Sequence, residues 1–446
     1  MSRIVIVGAG WAGFTAAKRL EKLLGEGEAE VVLIDPRPYM TYQGILPEVV
    51  GGSVEPDHAV IPLRRELSRT TVVTAAVTAI DHAHRRVTVQ PEHGEPYPMD
   101  YDQLVVTAGG VTRTFPIPGI AENAIGLKTV EEAVEIHNRL IDNVDRGAAL
   151  PPGPDRDRLL TVVVVGGGFA GAEACGELIS LAESLLEVYP QLEMGDVDVH
   201  LVDAAGRLMP EVSASSAEWV VNNLTGRGAV IHLDTQVLSA VGGRVELSDG
   251  TVVESDLIVW TAGVMANPAV VRGSDLPRDD RGRIRVGADL RVRDGDAVVA
   301  DAWAAGDIAA VPDLSGSGPG GLCVPNAQHA ARQGLLLAKN VAAALRGKEP
   351  EEYAHRNLGA VAGLGHGHGV LQIREFSMTG PLAWFAHRVA HGPVVTPSWD
   401  RRRRIVGGWI EEAALGRDAV SMSSSAAPRA FFEEFAARPA PDRPAS

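Results

Sequence analysis

Two apolar runs, each followed at once by a cluster of glycines, stand out in the hydrophobic pattern of this chain. The segments 4–13 (IVIVGAGWAG) and 162–171 (VVVVGGGFAG) each pass into a helical pattern. A second apolar strand then follows in each copy and ends in an acid, Asp35 or Asp203. The repeated order of strand, glycine turn, helix, strand and acid predicts an α/β fold with two Rossmann-like dinucleotide-binding domains.

Matching apolar strands that end in Thr-Ala-Gly, at 104–110 and 257–263, close the two copies. Proline-containing crossings follow each of them, and proline restricts the residue before it and interrupts regular structure. We therefore expect the second domain to be inserted into the first. The predicted division is a first domain formed by 1–116 and 268–345, a second domain at 117–267, and a C-terminal region at 346–446.

The C-terminal region shows two amphipathic helical patterns. Their apolar faces are formed by Leu382, Phe385, Ala386 and Val389, and by Ile405, Trp409, Ile410 and Ala413. Arg401–Arg404 precede the second face, where anionic lipid headgroups would attract them. Amphipathicity identifies a buried face but not its partner, so peripheral membrane contact, packing on the protein's own core and homodimerisation all stay open. The last dozen residues, rich in Pro, Ala and Arg, are expected to be disordered.

Charge and cysteine content exclude several functions. With 57 Asp and Glu against 41 Lys and Arg, a broad nucleic-acid-binding surface is not expected, because phosphate binding needs a positive patch. Cys175 and Cys323 lie too far apart in the chain to indicate a disulfide framework or a thiolate metal site. His366 and His368 lack further ligands in the pattern, so no metal is expected.

The start of the chain passes directly into a strand, without the charged, apolar and small-residue segments of a signal peptide. The apolar stretch 159–179 is interrupted by three glycines and by Glu173, which argues against a transmembrane helix. The expectation is therefore a cytoplasmic protein, with peripheral contact to the cytoplasmic face of the cell membrane as an open possibility.

A dinucleotide's pyrophosphate needs close backbone approach and the positive end of a helix, which the two glycine clusters provide. The predicted phosphate contacts are Gly8, Gly10 and Gly13 in the first cluster and Gly166, Gly168 and Gly171 in the second. Asp35 follows the first cluster by roughly 20 residues, the spacing at which a carboxylate meets the adenosine ribose.

Asp203 is assigned the same role in the second cluster. A carboxylate there accepts hydrogen bonds from a free 2′-hydroxyl and repels a 2′-phosphate, and the next residues are Ala204 and Ala205 rather than a base. The second site is therefore expected to prefer NADH over NADPH.

Asp307 follows Gly306 at the end of a predicted strand. Two roles are open to it: a hydrogen bond to the ribityl or pyrophosphate region of a flavin, or capping of a following helix. The two glycine clusters upstream favour the flavin. Because no residue in these motifs offers an obvious covalent attachment, the FAD is expected to be non-covalent.

The order of these motifs resembles the flavoproteins with two dinucleotide-binding domains, and within them the type II NADH dehydrogenases, the non-pumping NADH:quinone oxidoreductases. The resemblance is carried by 32–48, 127–133, 260–264 and 325–334, in addition to the glycine clusters. It covers about residues 3 to 345 well and the C-terminal region loosely. Arg332 stands where the family usually has Gln, and Gly44 replaces a usual proline.

The resemblance implies roles for further residues. Gln328 and Gln333 would lie at a quinone site beside the flavin, Glu173 would lie near the nicotinamide, and Gln43 would pass the isoalloxazine. The strand-and-turn segments would complete the two cofactor sites through Ala108, Gly109, Ala262 and Gly263. Purely structural roles stay open as well: Glu173 is also favoured by the positive end of its own helix, and the glutamines also suit an ordinary exposed helix face.

The predicted function is electron transfer from NADH through FAD to a quinone, without proton pumping. The alternatives are a soluble NAD(P)H-dependent flavin reductase acting on a metabolite or partner protein, and a redox sensor that holds FAD and NADH. Disulfide reductases need a redox cysteine in the first domain, and residues 36–60 contain none. Sulfide:quinone reductases need paired cysteines, whereas Cys175 suits a buried packing position in the helix that follows the second glycine cluster. Cys323, which precedes the helix of the implied quinone site, stays open as a minor alternative.

Overall fold

The computed structural model describes residues 1–316, 318–355, 359–417 and 420–421. Within them the strands, in chain order, are β1 Ser2–Val7, β2 Ala29–Asp35, β3 Tyr39–Thr41, β4 Val60–Pro62, β5 Thr71–Thr74, β6 Ala76–Asp81, β7 Arg86–Gln90, β8 Tyr97–Asp100, β9 Gln103–Val106, β10 Gly110–Thr112, β11 Ala124–Gly126, β12 Thr161–Val165, β13 Asp198–Val202, β14 Ala229–His232, β15 Val237–Ser239, β16 Arg244–Leu247, β17 Val252–Glu254, β18 Leu257–Trp260, β19 Val264–Ala266, β20 Ile284–Arg285, β21 Arg291–Asp294, β22 Ala297–Ala304, β23 Ala309–Ala310, β24 Ala360–Gly363, β25 Gly369–Ile373 and β26 Phe376–Thr379.

The α-helices are α1 Trp11–Leu23, α2 Leu46–Val50, α3 Leu63–Glu66, α4 Ile120–Asn123, α5 Val130–Ala148, α6 Pro154–Leu159, α7 Phe169–Leu186, α8 Ala214–Gly226, α9 Pro268–Val271, α10 Ala327–Leu345, α11 Pro381–Val389 and α12 Trp399–Leu415. A short π-helical segment, Ala390–Val395, follows α11. The sequence pattern places α1, α7 and α10 within a few residues of these bounds.

The first domain is built on a six-stranded sheet in the order β21-β22-β9-β1-β2-β5. β1 lies between β2 and β9 and pairs in parallel with both. Its residues 4–7 are buried, as expected for a central strand covered on both faces, which is why this run is apolar without alternation.

The second domain repeats this arrangement in a five-stranded parallel sheet, β11-β18-β12-β13-β14. β12, which precedes the second glycine cluster, lies between β13, which leads to Asp203, and β18, which leads to Thr-Ala-Gly. The glycine strand, the acid strand and the Thr-Ala-Gly strand are therefore neighbours in both sheets. The chain leaves and re-enters the first domain along the antiparallel pair β10 and β19, so the second domain is an insertion.

Helix α10, which follows the last strands of the first domain, packs on α1. A side chain at Gly334 would overlap the backbone of Ala12, so glycine permits the close approach of the two helices. Asn326 caps α10 by accepting a hydrogen bond from the His329 amide at 2.7 Å. This packing brings the amino end of α10 to the carboxyl edge of the first sheet.

The C-terminal region forms the antiparallel sheet β24-β25-β26 followed by α11 and α12. Its two predicted apolar faces behave differently. On α11, Leu382 and Phe385 are 70% and 62% exposed. On α12, Ile405 and Trp409 are buried in the main core, whereas Ile410 is 66% exposed and Ala413 is exposed as well. The predicted disordered end lies outside the described residues. Across the described ranges, no helix is both long and apolar enough to cross a membrane.

The arginine run lies in the first turns of α12 rather than before it. Arg401 is buried, Arg402 donates to the Thr396 carbonyl at 2.6 Å and stacks over Trp399, and Arg404 pairs with Asp400 at 3.2 Å. Much of this positive charge is therefore engaged within the protein, and lipid attraction is not needed to explain it.

Candidate functional site

The first glycine cluster forms a tight turn between β1 and α1. Gly8 has φ +100°, and a side chain there would come within 2.5 Å of the Ala108 backbone. A side chain at Gly13 would overlap the Gly8 carbonyl oxygen. These two glycines are required for the strand, turn and helix to pack closely.

Gly10 has a different role, because a Cβ added to it would meet no atom within 4 Å. It is the N-cap residue of α1, no side chain caps that end of the helix, and no acid lies in the first turn. The free amides at the start of α1 therefore face open space. Amides at the positive end of a helix with an open approach form a site for a phosphate group.

The second cluster reproduces this geometry. Gly166 has φ +112°, a side chain at Gly171 would overlap the Gly166 carbonyl oxygen, and Gly168 has open space around its Cβ position. Gly168 is the N-cap residue of α7, again without a side-chain cap or an acid in the first turn. We call the two turns, 8–13 and 166–171, the first and second cradles.

The acid at the end of the neighbouring strand is anchored to each cradle. Asp35 accepts hydrogen bonds from the Ala9 amide at 2.7 Å and the Arg37 amide at 2.9 Å. Asp203 accepts from the Gly167 amide and, at 2.7 Å, from the Ala205 amide. Burial raises the pKa of Asp35, and the two backbone donors oppose that change. Each carboxylate is thus fixed beside the open space at the amino end of the helix in its own cradle.

The third strand of each module holds its cradle through a threonine. The Thr107 hydroxyl donates to the Gly8 carbonyl at 2.8 Å, and the Thr261 hydroxyl donates to the Gly166 carbonyl at 3.1 Å. Sequence reasoning selected the following residues, Ala108, Gly109, Ala262 and Gly263, and missed the threonines. The repetition of Thr-Ala-Gly at equivalent places was the available signal.

A cleft of about 1070 Å³ opens at the first cradle. Seven residues predicted from the sequence line it: Gly8, Gly10, Asp35, Gln43, Ala108, Gly109 and Asp307. The sequence did not single out Lys128, which lines the same cleft and accepts a hydrogen bond from Gln43 through its backbone carbonyl at 3.1 Å. A cleft of this size with a phosphate cradle, an acid and a cation suits a bound dinucleotide.

Asp307 lies in this cleft, and the element that follows it is β23, not a helix. The helix-capping role is therefore wrong, and the cap of the next long helix, α10, is Asn326. Burial raises the pKa of Asp307, and the nearby Lys128 opposes that change. The carboxyl group is thus placed to meet a ligand in the cleft.

Gln333 is buried and lines a smaller neighbouring cavity of about 520 Å³. Its side-chain oxygen accepts the Gly306 amide at 2.8 Å, so it fixes the turn that carries Asp307. Gln328 is half-buried, and its side-chain oxygen lies 3.1 Å from the His355 ring. Of the two glutamines, only Gln333 lines one of these two cavities.

Glu173 lies in the second turn of α7 and is buried beneath the C-terminal region. It accepts the Gly363 amide at 3.1 Å, and His387 lies 3.4 Å away. Burial raises the pKa of Glu173, and His387 opposes that change. Neither cavity is lined by Glu173. Sequence reasoning missed His387, because its partners belong to distant parts of the chain.

Comparison with known proteins agrees with this geometry. The pyridine nucleotide-disulphide oxidoreductase family matches residues 2–334. A type II NADH:quinone oxidoreductase, Ndh, of Mycobacterium tuberculosis is 30% identical over 406 residues, covering 87% of this chain and 83% of its own. A probable NADH dehydrogenase of Dictyostelium discoideum is 28% identical over 430 residues, covering 94% of this chain and 91% of its own.

The fold is also that of NDH2 from Plasmodium falciparum, solved in complex with NADH. The TM-score is 0.85 at 16% identity, over 94% of this chain and 99% of that chain. Two cradles on two Rossmann-type sheets, with one domain inserted into the other, define a flavoprotein oxidoreductase with two dinucleotide sites. The chain belongs to the pyridine nucleotide-disulphide oxidoreductase family and, within it, to the type II NADH dehydrogenases.

Proposed function

We propose that the protein oxidises NADH and reduces a quinone through a bound FAD, with the balance NADH + H⁺ + quinone giving NAD⁺ + quinol. The observation that carries this proposal is the pair of cradles with matching strands, acids and threonines in one chain. The names of the relatives support the same electron donor and acceptor. Bound FAD supplies the two-electron chemistry, and the protein supplies binding, orientation and exclusion of water.

We assign FAD to the first cradle, in the domain formed by 1–116 and 268–345. The amides at Gly10 would hold the pyrophosphate, Asp35 the adenosine ribose, and Asp307 the ribityl or pyrophosphate region. Gln333 keeps the Gly306–Asp307 turn in place. The cleft with open space at Gly10 supports this assignment, since a ligand must approach the backbone closely there.

We assign NADH to the second cradle, in the domain 117–267. The amides at Gly168 would hold the pyrophosphate, and Asp203 would accept hydrogen bonds from the ribose hydroxyls. The Asp203 carboxylate is fixed by two backbone amides, so it cannot easily turn away from a 2′-phosphate. This arrangement favours NADH over NADPH.

We assign the quinone to the part of the first domain beside α10, where Gln328 lies near the helix's amino end and Gln333 is buried one to two turns further along. Glu173 of α7 keeps its assignment to the nicotinamide side. His355, at the start of the C-terminal region, contacts Gln328 at 3.1 Å. Tyr42, next to Gln43 of the larger cleft, hydrogen-bonds to His391 of the π-helical segment at 2.9 Å. The C-terminal region therefore lies close to the flavin cleft as well as to α7.

We further propose that the exposed apolar face of the C-terminal region rests on a lipid surface. Its residues follow one another closely in the chain and are all at least 39% exposed: Leu382, Phe385, Val389, Val394, Val395 and Trp399. A quinone of the respiratory type resides in a membrane, so an apolar face beside the quinone-reducing part serves access to the substrate. A homodimer built on the same face is the competing outcome.

A steady-state acceptor screen tests the proposed function. NADH oxidation by the purified, FAD-loaded protein is measured with a water-soluble quinone, with oxygen and without acceptor. We expect rapid turnover only with the quinone. Negligible turnover with every acceptor would contradict the assignment as an enzyme, and turnover with oxygen alone would contradict the assignment of the quinone.

A further inference from the structure

A buried charged cluster lies where the C-terminal region meets both dinucleotide-binding domains, away from the two cavities. Arg417 follows α12, and its side chain is 4% exposed. The guanidinium contacts Glu177 at 3.0 Å and Glu412 at 3.1 Å, and it donates to the Gly51 carbonyl at 2.8 Å. One side chain therefore bonds to three separate segments.

These three partners belong to three different parts of the protein. Gly51 ends α2 in the first domain, Glu177 lies on α7 in the second domain, and Glu412 lies on α12. Arg388 on α11 also pairs with Glu412 at 2.6 Å. A planar guanidinium presents donors in a fixed fork, so it sets the relative positions of its acceptors in a way that an ammonium does not.

A second basic side chain of the C-terminal region lies between the same two helices one turn earlier. His387 lies between Glu48 on α2 and Glu173 on α7, at 3.4 Å from each carboxyl group. Glu48 also accepts the Trp409 indole N–H at 2.9 Å. α2 and α7 are thus joined at two successive levels, and at both levels the joining residue comes from the C-terminal region.

The two bridged helices lead directly to the two cofactor sites. α7 begins at Gly168 of the second cradle, and α2 follows shortly after Gln43, which lines the cleft at the first cradle. The relative placement of α2 and α7 therefore determines the relative placement of the two cradles. Reactions between two bound molecules are sensitive to such placement, and a displacement of about 1 Å can cost on the order of 100-fold in rate.

We infer that Arg417 is a positioning residue which, together with His387, holds the FAD and NADH domains in the alignment that electron transfer requires. We call the two residues and their acceptors Glu48, Gly51, Glu173 and Glu177 the C-terminal clamp. This inference rests on the proposed function and gives the C-terminal region a role that does not depend on a membrane. Buried ion pairs often add little net stability, which leaves geometry as the more natural reason for the cluster.

The test compares Arg417→Lys and Arg417→Met with Arg403→Met, which alters an exposed arginine of the preceding helix α12. Flavin bleaching by excess NADH is followed in a single turnover without oxygen, and its dependence on NADH concentration gives the Kd. Lysine keeps the positive charge but lacks the planar arrangement of several donors that arginine has. We expect both Arg417 variants to slow the bleaching at saturating NADH by about tenfold or more. FAD content and NADH Kd should stay within about twofold of wild type, as should every property of Arg403→Met.

Hydrogen exchange provides a readout independent of turnover. In the FAD-loaded protein without NADH, Arg417→Lys should speed amide exchange in residues 46–54 and 173–186 and leave β1 and α1 unchanged. Unchanged exchange and an unchanged bleaching rate in a folded Arg417→Lys protein would overturn the clamp. Should Arg417→Met fail to fold, Glu177→Gln replaces it with the same expectations. A wild-type flavin that NADH does not bleach would instead contradict the proposed function, whatever the exchange pattern shows.

Discussion

Replacing Gly10 with alanine should empty the larger cleft of FAD and leave the fold intact. Gly10 has φ −67° and ψ −168°, which any residue adopts, and its Cβ position has no neighbour within 4 Å. Alanine is a weaker N-cap residue than glycine, so we expect a loss of no more than about 1 kcal/mol in the free energy of unfolding. The added methyl group does, however, occupy the space at the α1 amides.

The expected loss of FAD affinity is much larger. A methyl group there keeps the pyrophosphate from about two amide donors, and a hydrogen bond to a charged group contributes about 1.5–3 kcal/mol. The sum, about 3–6 kcal/mol, corresponds to an increase in the FAD Kd of roughly 100-fold to 10,000-fold. The Kd is measured by titrating the FAD-free protein with FAD and following flavin fluorescence, with Tm measured in parallel.

Two matched glycine variants serve as controls. Gly13→Ala should lower Tm strongly, because its side chain would overlap the Gly8 carbonyl oxygen. Gly168→Ala makes the same change in the second cradle, so it should raise the NADH Kd and keep FAD bound. The reasoning is refuted if Gly10→Ala binds FAD as wild type does, or if Gly168→Ala loses FAD instead of NADH affinity.

Three further predictions follow from other parts of the structure. Burial lowers the pKa of His387, but its two flanking carboxyl groups outweigh burial and raise it from 6.5 to about 10. The stabilisation that depends on its protonation is therefore complete below pH 6.5 and lost as the pH rises towards 10, so Tm should fall over this range in wild type and much less in His387→Gln. Asp203→Ala should reduce the preference for NADH, and equal NADPH and NADH Kd values in wild type would show that the ribose assignment is wrong. Leu382→Ser with Phe385→Ser should weaken binding to anionic lipid vesicles in a sedimentation assay without changing NADH oxidation by a soluble acceptor; unaltered vesicle binding would exclude this face as the lipid contact.

The sequence was sufficient for the two Rossmann-type domains, because their features are local. Strand, glycine turn and helix follow one another within a few residues. A side chain at Gly8 or Gly13 would overlap backbone atoms, so any copy of this turn requires glycine at both places. In each sheet, the strand that ends in the acid and the strand that ends in Thr-Ala-Gly lie on either side of the glycine strand. The same reasoning selected several of the residues that line the larger cleft.

The C-terminal region could not be predicted in the same way, because its contacts are with distant segments. The two amphipathic patterns look alike in the sequence, yet Trp409 is buried against Glu48 and Phe385 is exposed. The sequence could not indicate that Glu173 is enclosed by His387. The capping role of Asp307 failed for a related reason, since the short strand β23 that follows it depends on pairing with β20.

The central claim is tested most directly by an anaerobic titration of the FAD-loaded protein, with the flavin absorbance as the readout. We predict that one equivalent of NADH per flavin bleaches the oxidised flavin band and that one equivalent of a water-soluble quinone then restores it. A flavin that NADH leaves oxidised, or a bleached flavin that quinone does not reoxidise, would contradict electron transfer from NADH through FAD to a quinone.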